Sequence, residues 1–213
     1  MIPELVVFDC DGVLVDTEGP TSTIIANSFT RYGVPLSPED VDALFTGGTM
    51  DGVEAEGRKR GATFPPDWQD EIYSAIFARF DEGIDVIDGV FDLLDALDAN
   101  GIPQFVASNG PMQKMHHSLV PSGLWDRFDG RILSRQDHAP KPDPAMILHA
   151  LGRTGANPER TVMIDDSVAG CGAGLAAGVR TIGFATEGQD AKLSTIGATV
   201  ANSMAEVRRL ILQ

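Results

Sequence analysis

The chain has 213 residues, with 16 Lys and Arg against 31 Asp and Glu, for a formal net charge of −15 at pH 7. Such an acidic balance disfavours nucleic acid and anionic membrane surfaces as partners, because both are bound through basic faces that release counterions. With 43% hydrophobic and 22% charged residues, two cysteines, and no apolar stretch near the roughly 18 residues that a membrane helix needs, the chain reads as a globular protein without a disulfide framework, and a cytoplasmic location is expected.

Leu5–Phe8 is a short, continuous apolar run closed by Asp9, which suits a strand buried on both faces of a parallel sheet. After Asp16 no strand-like run appears until about Asp85. Helical spacing instead covers Thr21–Tyr32, Pro38–Phe45, Met50–Arg60 and Pro66–Phe80, with Gly33 as a stop, Ser37 as a cap and Pro38 at the first helical position. From Val90–Ala99 onwards helices and strands alternate. Strands are predicted at Gln104–Ala107, Arg131–Leu133, Thr161–Ile164 and Arg180–Phe184, and helices at Met112–Val120, Pro144–Leu151, Ala169–Ala177 and Met204–Leu212. Such alternation indicates an α/β fold, a doubly wound, Rossmann-like parallel sheet with right-handed crossovers. The helical block of about 70 residues after the first strand is long enough to be a small domain with its own core. The expected division is therefore a core of residues 1–16 and 86–213 and a helical cap domain of residues 17–85.

Ligands of doubly wound sheets bind outside the C-terminal ends of the strands. At those ends lie Asp9-Cys10-Asp11-Gly12, Ser108-Asn109-Gly110, and Asp165-Asp166-Ser167, with Lys141-Pro142 before the fourth strand. Two acid pairs converging on one crevice repel unless a cation sits between them, and oxygen-only ligands favour a hard ion such as Mg²⁺. The matching substrate is a phosphate ester, because a metal and a Lys neutralise the dianion that a carboxylate must approach. One Asp can then attack phosphorus. A second, two residues on, can protonate the leaving alkoxide and activate water if its pKa is raised.

Asp9-Cys10-Asp11-Gly12-Val13-Leu14-Val15-Asp16, Ser108, Lys141-Pro142-Asp143-Pro144 and Asp165-Asp166-Ser167-Val168-Ala169-Gly170 resemble the four ordered motifs of the haloacid dehalogenase superfamily, over essentially the whole chain. The resemblance implies a Rossmann-like core with a helical cap inserted after the first motif. It implies that Asp9 is the nucleophile and a metal ligand, that Asp11 is the general acid and base and binds the metal through its backbone carbonyl, and that Asp165 and Asp166 hold Mg²⁺. Ser108 would bind phosphoryl oxygens, Lys141 would offset charge, and Asn109 and the Gly12 amide would also touch the phosphate. Dehalogenases of the superfamily lack the second Asp of the first motif, so Asp11 points to phosphate chemistry. Mutases similar to β-phosphoglucomutase carry a His and an Arg where this chain has Thr21 and Met50, which favours a hydrolase. The core motifs are most similar to those of the bacterial 6-phosphogluconate phosphatase branch.

Other signals have two readings each. Phe45–Met50, with Gly47 and Gly48, is either a loop where Gly48 and Thr49 meet a substrate or a plain turn between helices. Arg58, Lys59, Arg60 and Arg79 either bind a second anion or form a solvated face. Gly172–Ala177 fits G-x-G-x-x-A but lies seven residues beyond its strand, which argues against a dinucleotide fingerprint. Cys10 is read as a small buried residue, and His116, His117 and His138 as structural or solvated. The expected activity is a Mg²⁺-dependent phosphatase for a small phosphorylated metabolite, a sugar phosphate or sugar-acid phosphate, acting as a monomer or weak dimer. A phosphosugar mutase is the enzymatic alternative. A phospho-receiver module is the alternative of another class, disfavoured by the helical insert and by the placement of the acids.

Overall fold

The computed structural model describes residues 2–45, 49–185 and 190–213. Its centre is a six-stranded, all-parallel sheet ordered β3-β2-β1-β4-β5-β6. The strands are β1 (Leu5–Phe8), β2 (Gln104–Ser108), β3 (Ile132–Ser134), β4 (Thr161–Asp165), β5 (Arg180–Phe184) and β6 (Thr199–Ala201). β1 lies between β2 and β4, with Val6 opposite Gln104 on one side and Val162 on the other. All four of its residues are buried, because helices cover both faces of the sheet. Val6 and Phe8 pack into one apolar cluster, and Leu5 and Val7 into another, as the alternation of strand side chains requires. The chain builds outward from β1 to β3 and returns beside β1 with β4, so the sheet reverses its winding at the ends of these two strands.

Four helices follow β1 as one block: α1 (Glu18–Arg31), α2 (Pro38–Phe45), α3 (Met50–Lys59) and α4 (Trp68–Asp81). Their shared interior is aromatic. Trp68 stacks on Phe64 at 4.1 Å between ring centroids, Phe29 meets Phe45, Phe64 and Trp68 at tilted or edge-on angles, and the Trp68 indole donates to Ser28 Oγ at 2.8 Å. The cap expected at Ser37 forms: Ser37 Oγ accepts from the Asp40 amide at 3.1 Å and Asp40 accepts from the Ser37 amide at 2.9 Å. The chain enters and leaves this block side by side, through the Asp16 amide on the Asp85 carbonyl at 2.9 Å and the Ile87 amide on the Leu14 carbonyl at 3.1 Å. The remaining helices are α5 (Val90–Ala99), α6 (Met112–Leu119), α7 (Ala145–Thr154), α8 (Val168–Ala176), α9 (Asp190–Thr195) and α10 (Met204–Leu212).

The structure departs from the sequence reading at several boundaries. α1 starts at Glu18 rather than Thr21, because Gly19-Pro20 lies in its first turn, where a proline removes no helical hydrogen bond. β2 and β4 each run one residue further, so Ser108 and Asp165 are the last residues of strands rather than the first of loops. β3 lies one residue later, at Ile132–Ser134. α9 and β6 were not expected: they are short, and β6 is only partly buried, so neither shows a hydrophobic period. Among the described residues, no helix is long and apolar enough to cross a membrane.

Candidate active site

The site forms where β1 and β4 end side by side. The Asp9 amide donates to the Ile164 carbonyl at 2.8 Å, and a tight turn follows in which the Leu14 amide bonds back to Cys10 at 3.0 Å. Gly12 in this turn has φ 73°, and a Cβ there would collide with the carboxylate of Asp166. Only glycine permits both the left-handed backbone and the approach of the two strand ends.

Asp9, Asp165 and Asp166 each offer a carboxylate oxygen within 4.8 Å of the others, and all three are buried, Asp165 completely. Lys141, itself 6% exposed, donates from Nζ to Asp9 Oδ1 at 2.6 Å and to Asp165 Oδ2 at 2.7 Å. One ammonium does not balance three carboxylates. Burial, with the charges of Asp165 and Asp11, outweighs Lys141 and raises the Asp9 pKa to about 7. Burial and the neighbouring Asp9 and Asp165 push Asp166 well above the ordinary carboxylate range. For Lys141, burial opposes the charged form, yet Asp165 and Asp9 outweigh it and the pKa is raised.

Asp165 also accepts from the Ser167 amide at 2.9 Å and Ser167 Oγ at 2.7 Å, and Ser167 caps α8 by accepting from the Gly170 amide at 2.9 Å. A Cβ on Gly170 would fall on the Asp165 carboxylate. Gly170→Ala is therefore expected to cost about 1–3 kcal/mol, since α8 must move off the sheet to make room. A urea midpoint equal to that of wild type would contradict this packing.

Ser108, 1% exposed, accepts at Oγ from the Gly110 amide at 2.9 Å. Asn109 is committed to positioning: its Oδ1 accepts from the Lys141 amide at 2.7 Å and its Nδ2 donates to the Lys141 carbonyl at 3.0 Å. This clamp ties the end of β2 to the loop that carries Lys141. Thr49 caps α3, accepting from the Gly52 amide at 3.3 Å, while Gly48 lies outside the described residues.

Asp11 has partners of its own outside the cluster of three buried acids. Thr17 Oγ1 donates to its Oδ1 at 2.6 Å, and Lys114 Nζ lies 2.9 Å from the same oxygen. Burial alone would raise its pKa, but Lys114 and then Thr17 overcome that and lower it. This is the opposite of the raised pKa expected of a proton donor, because Lys114 pairs with Asp11, a contact that the sequence did not reveal. A lysine in the first turn of α6 sits at the unfavourable positive end of the helix dipole, and that is the signal that it has an acidic partner.

These groups open into a cavity of about 200 Å³ between the strand ends and α1–α4. Asp9, Asp11, Ser108, Asn109, Lys141 and Asp166 line it, as do Thr49, Thr21 and Met50. Asp165 sits behind the lining, held by Lys141 and Ser167. Cys10 is fully buried, its thiol 4.0 Å from Ser118 Oγ and its pKa pushed up by burial. His116 packs on Trp125, His117 stacks on Phe77 and bonds Asp81 at 2.7 Å, and His138 meets the His149 ring at 4.6 Å. None of these histidines lines the cavity.

A haloacid dehalogenase-like hydrolase family model matches residues 6–184. The 6-phosphogluconate phosphatase of Escherichia coli is 35% identical over 187 residues, covering 86% of this chain and 83% of that protein. A haloacid dehalogenase-like protein of unknown function from Agrobacterium tumefaciens superposes with a TM-score of 0.86 at 30% identity, covering 98% and 97% of the two chains. A hydrolase of the same family from Deinococcus radiodurans, solved with phosphate and sodium, gives a TM-score of 0.83 at 33% identity, covering 98% and 94%. The match over residues 6–184, which holds both acid pairs, means that this chain belongs to the haloacid dehalogenase-like hydrolases.

Proposed function

We propose that the protein is a Mg²⁺-dependent phosphatase that hydrolyses a small phosphorylated metabolite through a phosphoaspartyl intermediate on Asp9. The observation that carries this reading is the carboxylate of Asp9, fixed through one oxygen by Lys141 at the floor of the cavity, with Asp165 and Asp166 beside it and Asp11 two residues on. The phosphatase named among the relatives and the phosphate held by the Deinococcus hydrolase support it.

The donor set fits a hard divalent cation. It is all oxygen, buried, and short of positive charge to the point that Asp9 and Asp166 hold protons well above the usual range. Asp9, Asp166 and the Asp11 carbonyl would hold Mg²⁺ directly, with Asp165 behind them. When bound, it supplies the charge neutralisation that lets a phosphate dianion approach a carboxylate. The free oxygen of Asp9 then attacks phosphorus, the bond from phosphorus to the ester oxygen breaks, and Asp11 delivers a proton to the departing alkoxide. In the second half, Asp11 takes a proton from water as the water displaces Asp9 from phosphorus. As held by Lys114 and Thr17, Asp11 is in its base form, so proton donation requires it to leave those partners. Ser108 would bind a phosphoryl oxygen, whereas the Gly12 amide, expected from the sequence to do the same, is taken up by the Val15 carbonyl at 2.9 Å. Residues 17–85 would act as a cap on the core of residues 1–16 and 86–213, and their closure would exclude bulk water. Thr21 and Met50, both in the cavity wall where mutases carry His and Arg, support hydrolysis over isomerisation.

The test is phosphate release from p-nitrophenyl phosphate. Turnover is expected with Mg²⁺ and not with EDTA. Mg²⁺ should also raise the melting temperature, and more at pH 8 than at pH 5.5, because binding must displace protons from Asp9 and Asp166. Undiminished turnover in EDTA would overturn the mechanism.

A further inference from the structure

The two halves of the cavity differ in charge. Five carboxylates and three cations line it, and all three cations, Lys114, Arg135 and Lys141, come from the core. Lys141 and Lys114 are paired with catalytic carboxylates. Arg135 follows the end of β3 in the core, and its amide donates to the Ser108 carbonyl at 3.2 Å, so its backbone is anchored on the core side of the cavity.

Among the described residues, the wall formed by α1–α4 carries Glu18 and Asp42 and no cation. This absence can be traced residue by residue. The segment from 17 to 85 contains five basic residues, and each is held elsewhere. Arg31 pairs with Glu71 at 2.7 Å, Arg58 with Glu54 at 2.6 Å, Lys59 and Arg60 with Glu56 at 3.2 and 2.8 Å, and Arg79 donates to the Gly83 carbonyl at 2.8 Å. None of the five lines the cavity. The alternative that Arg58, Lys59, Arg60 or Arg79 binds a second anion thus loses its support.

The same wall offers hydroxyl-matching groups. Thr21 Oγ1 is buried against the cavity and has no hydrogen-bond partner among the described residues. Ser22 donates to Asp42, which keeps that carboxylate in the wall. Ile25, Val41, Val53 and Ile76, all buried, supply apolar surface between these polar points. Alternating acceptors and apolar patches suit the hydroxyl and C–H faces of a polyol, whereas a carboxylate or second phosphate would be placed against Glu18 and Asp42 on a wall whose described residues offer no cation.

We infer that the leaving group of the substrate is a neutral, polyhydroxylated fragment, so that the enzyme acts on phosphate monoesters of sugars or polyols and discriminates against those carrying a second anion. This rests on the phosphatase reading above and narrows it. Burial and the neighbouring Asp42 and Asp11 raise the Glu18 pKa, as expected of a wall already crowded with negative charge.

The experiment compares kcat/KM with Mg²⁺ for matched pairs: glucose 6-phosphate against 6-phosphogluconate, and glycerol 1-phosphate against 3-phosphoglycerate. The neutral member of each pair is expected to be favoured by about tenfold or more, the order produced by one unpaired like charge at a half-buried site. Glu18→Gln alone, and combined with Asp42→Asn, should narrow that ratio at least about threefold by admitting the acid. An acid member equal or superior to its neutral partner overturns the inference, as does a ratio that both variants leave unchanged. Turnover of p-nitrophenyl phosphate separates the two levels: if it proceeds while the acid is preferred, only the choice of leaving group fails, and if no ester is hydrolysed, the phosphatase reading fails with it.

Discussion

Asp9→Asn should abolish phosphate release, lowering kcat/KM by about 10⁴-fold or more, while making the metal-free protein more stable at pH 8. The first effect follows from chemistry: an amide cannot form the acyl phosphate, and no other buried carboxylate is held by Lys141 at the cavity floor in the same way. The second follows from the sign of the Asp9 shift. Its pKa is raised from 3.8 to about 7, because burial and the charges of Asp165 and Asp11 outweigh Lys141. A carboxyl group with a raised folded pKa contributes stability that is fully present below its unfolded pKa and lost as pH rises through the folded one. Metal-free wild type should thus lose stability between about pH 4 and pH 7, and Asn, which does not titrate, should not. The melting temperatures of the two proteins in EDTA should separate across that window. Mg²⁺ should stabilise wild type and have little effect on the variant. Residual turnover above about one part in a hundred would show that Asp9 is not the nucleophile.

The candidate site was legible because parallel strands advertise their ends. Leu5–Phe8 and Val162–Ile164 are unbroken apolar runs, and a carboxylate that closes such a run must face the crevice at the edge of the sheet. Ser108 follows the same rule, and Lys141 was found by its place before the fourth strand. The pairing of Asp11 with Lys114 was not legible, because it joins residues about a hundred positions apart on elements whose relative rotation no local pattern encodes. The acidic wall was hidden for the same reason. Glu18 lies ahead of the helix predicted at Thr21–Tyr32 and Asp42 within the one predicted at Pro38–Phe45, and only the packing of α1 against α2 brings both into the cavity wall. The five basic residues of the helical block looked available in sequence, and their engagement with Glu54, Glu56, Glu71 and the Gly83 carbonyl appears only in three dimensions.

Lys141→Met should show how far the acid cluster depends on one ammonium. Among the described residues, Lys141 is the single cation in direct contact with Asp9 and Asp165, and it is buried with them. Removing one partner of a buried, hydrogen-bonded charge set leaves the others uncompensated, at a cost of about 3–5 kcal/mol. That cost should depend on pH. At pH 8 Asp9 is left charged beside the other acids without its lysine, whereas near pH 5 Asp9, its pKa driven higher still without Lys141, takes up a proton and relieves the repulsion. The urea midpoint of the variant should therefore lie far below wild type at pH 8 and closer to it at pH 5. Mg²⁺ should recover part of the stability at pH 8, since it supplies charge to the same carboxylates. Activity should remain depressed by about 10³-fold or more, because Lys141 also fixes one oxygen of Asp9 and so aims the other at phosphorus. A variant with a wild-type midpoint at pH 8 would mean that water or neighbouring dipoles already neutralise the cluster, and the requirement for a divalent cation would lose its physical basis.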